Sequence, residues 1–473
     1  MPPSLALFLW AILLVGLLYC DPAKSRKRSA ALWIPLIWMF FLATRLPSQW
    51  LGGETASSAG ALEEGNPIDR IVDFVLIFSA AGVVASRSFN WGAFLSRNLW
   101  LTMFLGFALL SVLWSDYPFV AFKRWFRDLG NYFIILVILS DPDPLEAVRT
   151  VLRRLGYLLI SLTVLVVKYY QGISRGYEAW TGTFQVMGPT TGKNLLGVVG
   201  FICLLFFLWD TIVRWPERKR SPTKRVLLVN FAFIAMAVWV VSIADSATAR
   251  VCTVLGSGMI AVAHSKLFQR RSHLLMMVAP TAICLYSVLA FGFGLNGQMA
   301  EAIGKDPTLT DRTKVWAFVL GMHTNPLLGT GYESFWMGPR LQSFWENAGI
   351  GHINEAHNGF LEVYLNLGLI GVGLLCGFLI ASYRTICKRL KPFSVFGSLT
   401  LAIWLITLFY SMTEAAFRSA LMWVLFLLSG VSVSGFREPH AQQSTLSWVE
   451  DLLEQGVNPI GGTDRSVDLS WIQ

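Results

Sequence analysis

The sequence contains few charged residues. Of its 473 residues, only 14% are Asp, Glu, Lys or Arg, while 54% are hydrophobic, and the mean hydropathy is +0.55. Soluble globular proteins carry roughly 25% charged residues, so this chain has too little polar surface to be one of them. The same scarcity excludes a disordered chain, a coiled coil and a nucleic-acid-binding protein. The composition predicts a multi-spanning membrane protein.

The sequence also lacks the patterns of disulfide and zinc sites. Its six cysteines lie in or beside apolar runs, with no CxxC spacing. A disulfide framework or a structural zinc site needs clustered cysteines in a polar domain. We interpret these cysteines as small apolar residues of membrane helices.

Three catalytic motifs are absent as well. Gly188 to Asn194 has too few residues between its glycines, and no Ser or Thr after Lys193, for a phosphate loop. There is no GxSxG sequence for a serine nucleophile. His352, Glu355 and His357 are spaced i, i+3, i+5, whereas the zincin pattern places two histidines at i and i+4. We therefore expect no nucleotide, metal or other cofactor.

Apolar runs long enough to cross a membrane recur along the chain. A helix crossing the bilayer core of ~30 Å needs about 20 mostly apolar residues. Thirteen candidate spans lie near residues 4–19, 31–47, 71–86, 98–115, 129–140, 155–168, 194–213, 226–243, 251–265, 274–292, 363–383, 394–412 and 419–435. The first lacks basic residues ahead of it, so we expect a span with its N-terminus outside, not a signal peptide.

Basic residues predict the orientation of these spans. Of the 38 lysines and arginines, 22 lie in six short segments on alternate connections: Lys24–Arg28, Arg87–Arg97, Arg149–Arg154, Arg214–Arg225, Lys266–Arg271 and Arg384–Lys391. Such segments stay cytoplasmic, with anionic lipids as neighbours. The long segment 293–362 then lies outside, where we expect function. We expect residues 1–435 to form the membrane domain and 436–473 a polar cytoplasmic tail.

Several cations on the predicted outer side are candidate anion ligands. Arg312 follows a pattern that resembles a capping box, Thr308 and Asp311, and lies near the start of a predicted helix that ends near Asn325-Pro326. The apolar stripe of this helix would consist of Val315, Phe318, Val319 and Met322. Arg250 lies at a predicted membrane boundary, where a charge is costly, although Asp245 could pair with it. Lys123, Arg124 and Arg127 form a basic cluster between the fourth and fifth spans, which departs from the positive-inside rule. Each of these residues could instead be structural or bind lipid phosphate.

The most specific pattern is Glu355-Ala-His357-Asn358-Gly359, followed by Gly368 and Gly371. It resembles the H-N-x9-G-x-x-G signature of the bacterial O-antigen ligase and Wzy-type polymerase superfamily. Other segments are similar to that superfamily, and some to its exopolysaccharide-polymerase branch: Arg312-x3-Trp316, Pro326–Gly331, the run into Arg250, Trp180–Gly182 leading to Lys193-Asn194, and Trp33–Gly52.

The resemblance implies an all-α, GT-C-like polytopic fold with about 12–13 transmembrane helices and a large outer helical loop. It implies an inverting, metal-independent glycosyltransferase in the bacterial inner membrane, active at its periplasmic face. The donor would be a glycan on undecaprenyl diphosphate, and the acceptor another glycan or the lipid A core. Polysaccharide assembly or export proteins would be partners.

The resemblance also implies roles for individual residues. His357 would be the catalytic base, and Arg250 and Arg312 would bind the diphosphate. Further candidates for the site are Lys193, Arg124, Asn358 and Glu362. Glu355 or Glu362 could orient His357.

Three alternatives remain open at this point: a transporter, a polytopic scaffold or regulator of polymer length, and the choice between polymerase and ligase. A transporter of lipid-linked polysaccharide would need no covalent chemistry, but it would favour matching polar residues in two repeated halves, and no repeat is visible. Within the superfamily, the segments near Trp33 and Trp180 favour a polymerase over a ligase.

Overall fold

The computed structural model describes residues 1–19, 29–52, 65–177, 182–287, 312–349, 352–390, 394–418 and 420–433. The predicted tail 436–473, the capping box of Thr308 and Asp311, and the basic segment Lys24–Arg28 lie outside these residues. Met1–Ser434 forms one compact unit.

The described chain is almost entirely helical. The first half contains α1 (Pro3–Tyr19), α2 (Trp33–Ala43), α3 (Pro47–Trp50), α4 (Pro67–Ser86), α5 (Trp91–Arg97), α6 (Leu99–Leu110), α7 (Pro118–Leu139), α8 (Pro144–Tyr169) and α9 (Gln171–Ser174). An antiparallel hairpin of β1 (Arg175–Tyr177) and β2 (Phe184–Val186) follows. The second half contains α10 (Lys193–Arg214), α11 (Ser221–Ala244), α12 (Ala247–Ala263), α13 (Lys266–Arg270), α14 (Ser272–Ser287), α15 (Arg312–Gly321), α16 (Gly338–Asn347), α17 (Gly359–Arg389), α18 (Val395–Ser411) and α19 (Leu421–Gly430). Short 3₁₀ turns occupy Ala30–Leu32, Ser111–Trp114 and Trp215–Glu217.

Each of the thirteen predicted spans falls on one of these helices, and the fold is that of an all-α polytopic membrane protein. Among the described residues, four helices are long and apolar enough to cross a bilayer alone: Pro144–Tyr169, Lys193–Glu217, Thr223–Ala244 and Gly359–Arg389. Trp91–Arg97 and Leu99–Trp114 form a fifth candidate that is bent by 93°. Six further apolar helices have 10–17 residues. The remaining two, α4 and α7, are long but carry several charges near their N-termini.

The predicted basic cluster of Lys123, Arg124 and Arg127 lies inside α7 and not between two spans. Pro118 occupies the first turn of this helix, a position where proline fits without the loss of a hydrogen bond. The helix therefore begins about three turns before the apolar run that marked the predicted span. Arg127 pairs with Asp73 of α4 at 2.9 Å, and Lys123 lies 5.3 Å from the centre of the Phe119 ring.

Helix α17 is interrupted at Gly368, whose φ of 62° and ψ of −165° are not helical. The Pro326–Gly331 segment packs into this break, and a Cβ at Gly368 would lie 2.2 Å from the Leu327 carbonyl. Four backbone hydrogen bonds of 2.9 to 3.3 Å join the two segments, from the N–H groups of Thr330, Gly331, Leu369 and Ile370 to the carbonyls of Leu365, Asn366, Pro326 and Leu327. The backbone groups freed by the break are thus satisfied, as a low-dielectric environment requires.

Helices α15 and α16 pack against the start of α17 and the residues just before it. Val315 and Val319 of α15 are fully buried, with Phe318 and Met322 packed beside them. This confirms the predicted apolar stripe, although α15 ends at Gly321, before the predicted stop. Their cluster includes Ala356, so the core of the 312–349 segment lies directly beneath the residues that precede α17.

Candidate active site

His357 has an unusual backbone conformation. Its φ is +50°, in the left-handed region that a residue with a Cβ rarely adopts. The next residue, Asn358, is the N-cap of α17, and its side-chain oxygen accepts hydrogen bonds from the Phe360 and Leu361 N–H groups at 3.0 and 3.1 Å. Such strain persists where the surroundings determine the conformation strongly, commonly at functional sites.

Glu414 connects His357 to the rest of the bundle. It lies just beyond the end of α18, and its side chain is 6% exposed. Its Oε2 is 3.1 Å from His357 Nδ1, while its Oε1 accepts hydrogen bonds from Arg312 at 2.7 Å and Asn194 at 2.8 Å. Together with Glu355, whose Oε1 is 3.0 Å from His357 Nδ1, these residues form what we call the Glu414 cluster.

The electrostatics of the cluster favour a protonated His357. Burial alone would lower the imidazole pKa, but the adjacent carboxylates of Glu355 and Glu414 outweigh burial and raise the pKa above its ordinary value.

Glu362 was a candidate for orienting His357, and the structure assigns its carboxylate to other partners. It is 3% exposed and accepts hydrogen bonds from Trp336 Nε1 at 3.0 and 3.1 Å and from the Ala356 N–H. Glu362 therefore holds the backbone directly before His357, whereas Glu355 and Glu414 contact the ring.

The Glu414 cluster opens into a cleft of about 410 Å³. One wall comes from the start of α10 and strand β2, with Gln185, Thr191, Lys193 and Asn194. The facing residues come from the segment before α17, with His352, Ile353, Asn354, Glu355 and His357, and from the region between α18 and α19. Among the described residues that line it, Lys193 is the only Lys or Arg.

The predicted arginines occupy different positions. Arg312 begins α15 and belongs to the Glu414 cluster, with its side chain 14% exposed. Arg250 lies in the first turn of α12, half exposed and ion-paired with Asp245, and it does not line the cleft. Its helix is nevertheless tied to the cluster, because the Thr248 and Thr413 hydroxyls lie 2.9 Å apart.

Arg124 belongs to a neighbouring network. It donates a hydrogen bond to the backbone carbonyl of Glu333, another residue with positive φ, at 52°. The Glu333 carboxylate accepts from Arg418 at 2.8 Å, and Arg418 also donates to the Asn354 carbonyl at 2.9 Å. Burial opposes the charge on Arg418, but the carboxylates of Glu333, Glu362 and Glu355 raise its pKa. This network braces the cleft without reaching His357.

The group of possible metal ligands in the structure contains Glu414 in place of His352. His352 stacks on Trp345, with ring centres 4.7 Å apart. The ligand atoms of Glu355, His357 and Glu414 lie within 4.8 Å of one another, a group that could hold a cation. Since the Arg312 guanidinium already neutralises Glu414 at 2.7 Å, the arrangement fits a histidine held by carboxylates better than a divalent ion.

The sequence pattern did not single out Glu414, Asn194 or Arg418 as site residues. Glu414 and Arg418 follow an apolar span in the run Tyr410–Arg418. Ionisable residues at such a boundary are functional candidates, and this signal could have identified them.

Part of the chain is similar to a known protein family. Residues 179–376 match the family model of the O-antigen ligase (Wzy_C), a segment that includes Lys193, Arg250, Arg312 and His357. This match confirms the resemblance to the O-antigen ligase and polymerase superfamily. The described helices are those of a multi-pass, all-α membrane protein.

A particular relative matches a longer part of the chain. It is the exopolysaccharide production protein ExoQ of Rhizobium meliloti (strain 1021), which is 27% identical over 305 residues. The match covers 62% of this chain and 66% of that protein, just under two thirds of its length.

Proposed function

We propose that this chain is an inverting, metal-independent glycosyltransferase that transfers glycan from an undecaprenyl diphosphate-linked donor to an acceptor hydroxyl. The observation that carries the proposal is His357, held by Glu414 and Glu355 at the edge of a cleft that Lys193 also lines. A base beside a cation is the arrangement that this reaction needs, because a hydroxyl must lose its proton while a diphosphate leaves.

The reaction is a single displacement. His357 Nδ1 faces the two carboxylates, so Nε2 takes the proton of the acceptor hydroxyl. The acceptor oxygen forms a bond to the anomeric carbon on the face opposite the diphosphate. The bond between that carbon and the diphosphate oxygen breaks, and its electron pair leaves with undecaprenyl diphosphate. One displacement inverts the anomeric configuration, and a positioned base contributes typically ~10²- to 10⁴-fold to the rate.

The leaving diphosphate gains negative charge that fixed cations stabilise. Lys193 lines the cleft, and Arg312 lies behind Glu414. Arg250 belongs to α12, whose first turn packs closely on that of α10, since a Cβ at Gly197 would lie 2.6 Å from Ala249 Cβ. We assign these three cations to the diphosphate. A metal is unnecessary in this scheme.

The active site is assigned to the periplasmic face of the inner membrane. The starts of α10, α12 and α17 lie at the Glu414 cluster, while their far ends lead into the basic segments at Arg214–Arg225, Lys266–Arg271 and Arg384–Lys391. The positive-inside rule places those ends in the cytoplasm. The donor would then reach the site from the outer leaflet.

We favour a polymerase over a ligase, because the related protein is described as an exopolysaccharide production protein. The acceptor would then be another lipid-linked glycan, not the lipid A core. Partnership with polysaccharide assembly and export proteins remains a prediction of the resemblance.

Replacing His357 tests the proposal. Purified protein incubated with undecaprenyl diphosphate-linked glycan should release free undecaprenyl diphosphate and extend the glycan, with or without excess EDTA. His357→Ala should lower the rate by about 10²- to 10⁴-fold, as measured by chromatography of the lipid and glycan products. His323→Ala, at an exposed histidine outside the cleft, is the matched control and should retain transfer. A transporter would release no diphosphate, and undiminished transfer by His357→Ala would remove the base from this site.

A further inference from the structure

The segment that carries His357 has no regular secondary structure, and side chains from other parts of the chain hold it by hydrogen bonds. Between Trp345 and Asn358 it contributes His352, Asn354, Glu355 and His357 to one wall of the cleft. We call residues 352–357 the cleft strap. Three of its carbonyls accept side-chain hydrogen bonds: Ile353 from Trp345 Nε1 at 2.8 Å, Asn354 from Arg418 at 2.9 Å, and Ala356 from Trp316 Nε1 at 2.8 Å. The strap is thus held in place before any ligand arrives.

The two walls of the cleft differ in chemistry. On the wall formed by β2 and the start of α10, which we call the α10 wall, Lys193 offers an ammonium group, Thr191 a hydroxyl and Asn194 an amide. The cleft strap offers an imidazole ring stacked on Trp345, the amide of Asn354 and the carboxylate of Glu355, whose side chain is 33% exposed. A diphosphate beside the Glu355 carboxylate would be repelled. The anionic end of the donor therefore belongs at the α10 wall.

A saccharide suits the cleft strap. Sugar rings have apolar C–H faces that pack on aromatic rings, and hydroxyls that hydrogen-bond to amides and carboxylates. A base must also lie within hydrogen-bond reach of the hydroxyl that it deprotonates. Because His357 ends the cleft strap, the acceptor has to lie along the strap for its hydroxyl to reach the imidazole.

We infer that His352 and Asn354, with the Trp345 ring behind His352, form the binding subsite for the acceptor saccharide. This inference rests on the proposed transfer reaction and assigns the second substrate of that reaction to one wall. His352 packs on the acceptor ring nearest the reacting hydroxyl, and Asn354 hydrogen-bonds to its hydroxyls. Neither residue takes part in the proton transfer.

A binding measurement without turnover tests the subsite. The probe is the repeat-unit oligosaccharide, released from its lipid by mild acid so that it carries no diphosphate. Its affinity for the purified full-length protein is measured by saturation-transfer NMR titration. His352→Ala should weaken binding about two- to tenfold, and His352→Phe, which keeps a flat ring, should restore most of it. Asn354→Ala should weaken binding similarly, and His323→Ala should leave it unchanged.

A substitution on the α10 wall should change donor kinetics and not oligosaccharide binding. Lys193→Met should leave oligosaccharide binding unchanged but raise the KM for the lipid diphosphate donor, whereas His352→Ala should raise the KM for the acceptor alone. Unchanged oligosaccharide affinity in both His352→Ala and Asn354→Ala would overturn the subsite, as would equal weakening by Lys193→Met. These outcomes do not depend on whether His357→Ala abolishes transfer, so the subsite and the proposed reaction can fail separately.

Discussion

At the scale of single residues, the arrangement around His357 depends on opposing charges in a small buried volume. Glu414 accepts hydrogen bonds from Arg312 and Asn194 through one oxygen and contacts His357 through the other. This geometry fixes the ring and stabilises its charged form, as an orienting carboxylate does in a hydrolase triad. The carboxylates of Glu355 and Glu414 outweigh burial and raise the pKa of His357, and this pKa sets the pH at which the imidazole can accept a proton.

We predict that Glu414→Gln moves the acidic limb of the activity profile to lower pH. A protonated imidazole cannot accept a proton, so activity falls as pH drops through the His357 pKa, which lies above its ordinary value of 6.5. Removing the Glu414 charge lowers that pKa, and the limb should follow. The maximal rate should also decrease, because a hydrogen bond to a charged group is worth about 1.5–3 kcal/mol.

The measurement is initial transfer rate against pH at saturating donor. Glu346→Gln, at an exposed glutamate of α16, is the control and should keep the parental profile. A limb that stays in place in Glu414→Gln would show that Glu414 does not set the protonation of the base.

At the scale of secondary structure, the break in α17 positions the segment that carries His357. The Pro326–Gly331 segment occupies the break at Gly368 and is hydrogen-bonded on both sides of it. In the turns before the break, the Asn366 side chain accepts a hydrogen bond from the Phe335 N–H at 3.1 Å, and Glu362 holds Ala356. The two glycine-containing motifs of the sequence therefore form a single interlocked structure.

We predict that Gly368→Ala destabilises the protein and lowers its activity. The backbone at Gly368 is strained for any residue with a Cβ, and the new atom would lie 2.2 Å from the Leu327 carbonyl. Strain of this kind costs about 1–3 kcal/mol, and displacement of the Pro326–Gly331 segment adds to it. The expected result is a lower melting temperature in detergent together with slower transfer.

Gly373→Ala supplies a matched control in the same helix. A Cβ at Gly373 has no atom within 4 Å, and alanine favours a helix over glycine by about 1 kcal/mol. This variant should melt at the parental temperature or above it. Equal melting temperatures for the two variants would contradict the interlocked arrangement.

At the scale of the whole molecule, the bundle has two chemically different ends. Helices α10, α12 and α17 run from the cluster around Glu414 to segments rich in lysine and arginine. Such segments are retained in the cytoplasm, so the orientation of these helices decides on which side of the membrane the cleft lies.

We predict that the segment 312–349 faces the periplasm. In a cysteine-free background, Gln342→Cys on the exposed side of α16 should react with a membrane-impermeant maleimide in intact spheroplasts. Lys219→Cys, in the exposed basic segment between α10 and α11, should react only after permeabilisation. The reverse pattern would invert the topology and place the cleft where an outer-leaflet donor cannot reach it.

The sequence by itself determined the features that depend on local composition. Within the residues that the structure describes, every predicted span falls on a helix, because a long apolar run satisfies its backbone in lipid by forming a helix. The same holds for the apolar stripe of α15, which follows from helical periodicity. The proposal that His357 is the base came from a short motif that resembles a known family, and it stays a prediction.

Only the tertiary structure decided which side chains surround His357. Along the chain, Glu414 is 57 residues from His357, 102 from Arg312 and 220 from Asn194. A local sequence pattern cannot predict contacts between residues that are so far apart. The sequence did not predict the break at Gly368 either, since glycine also occurs in unbroken helices that pack closely. A bundle brings residues together through the packing of whole helices, so the identity of the partners depends on contacts between segments that are far apart in the chain.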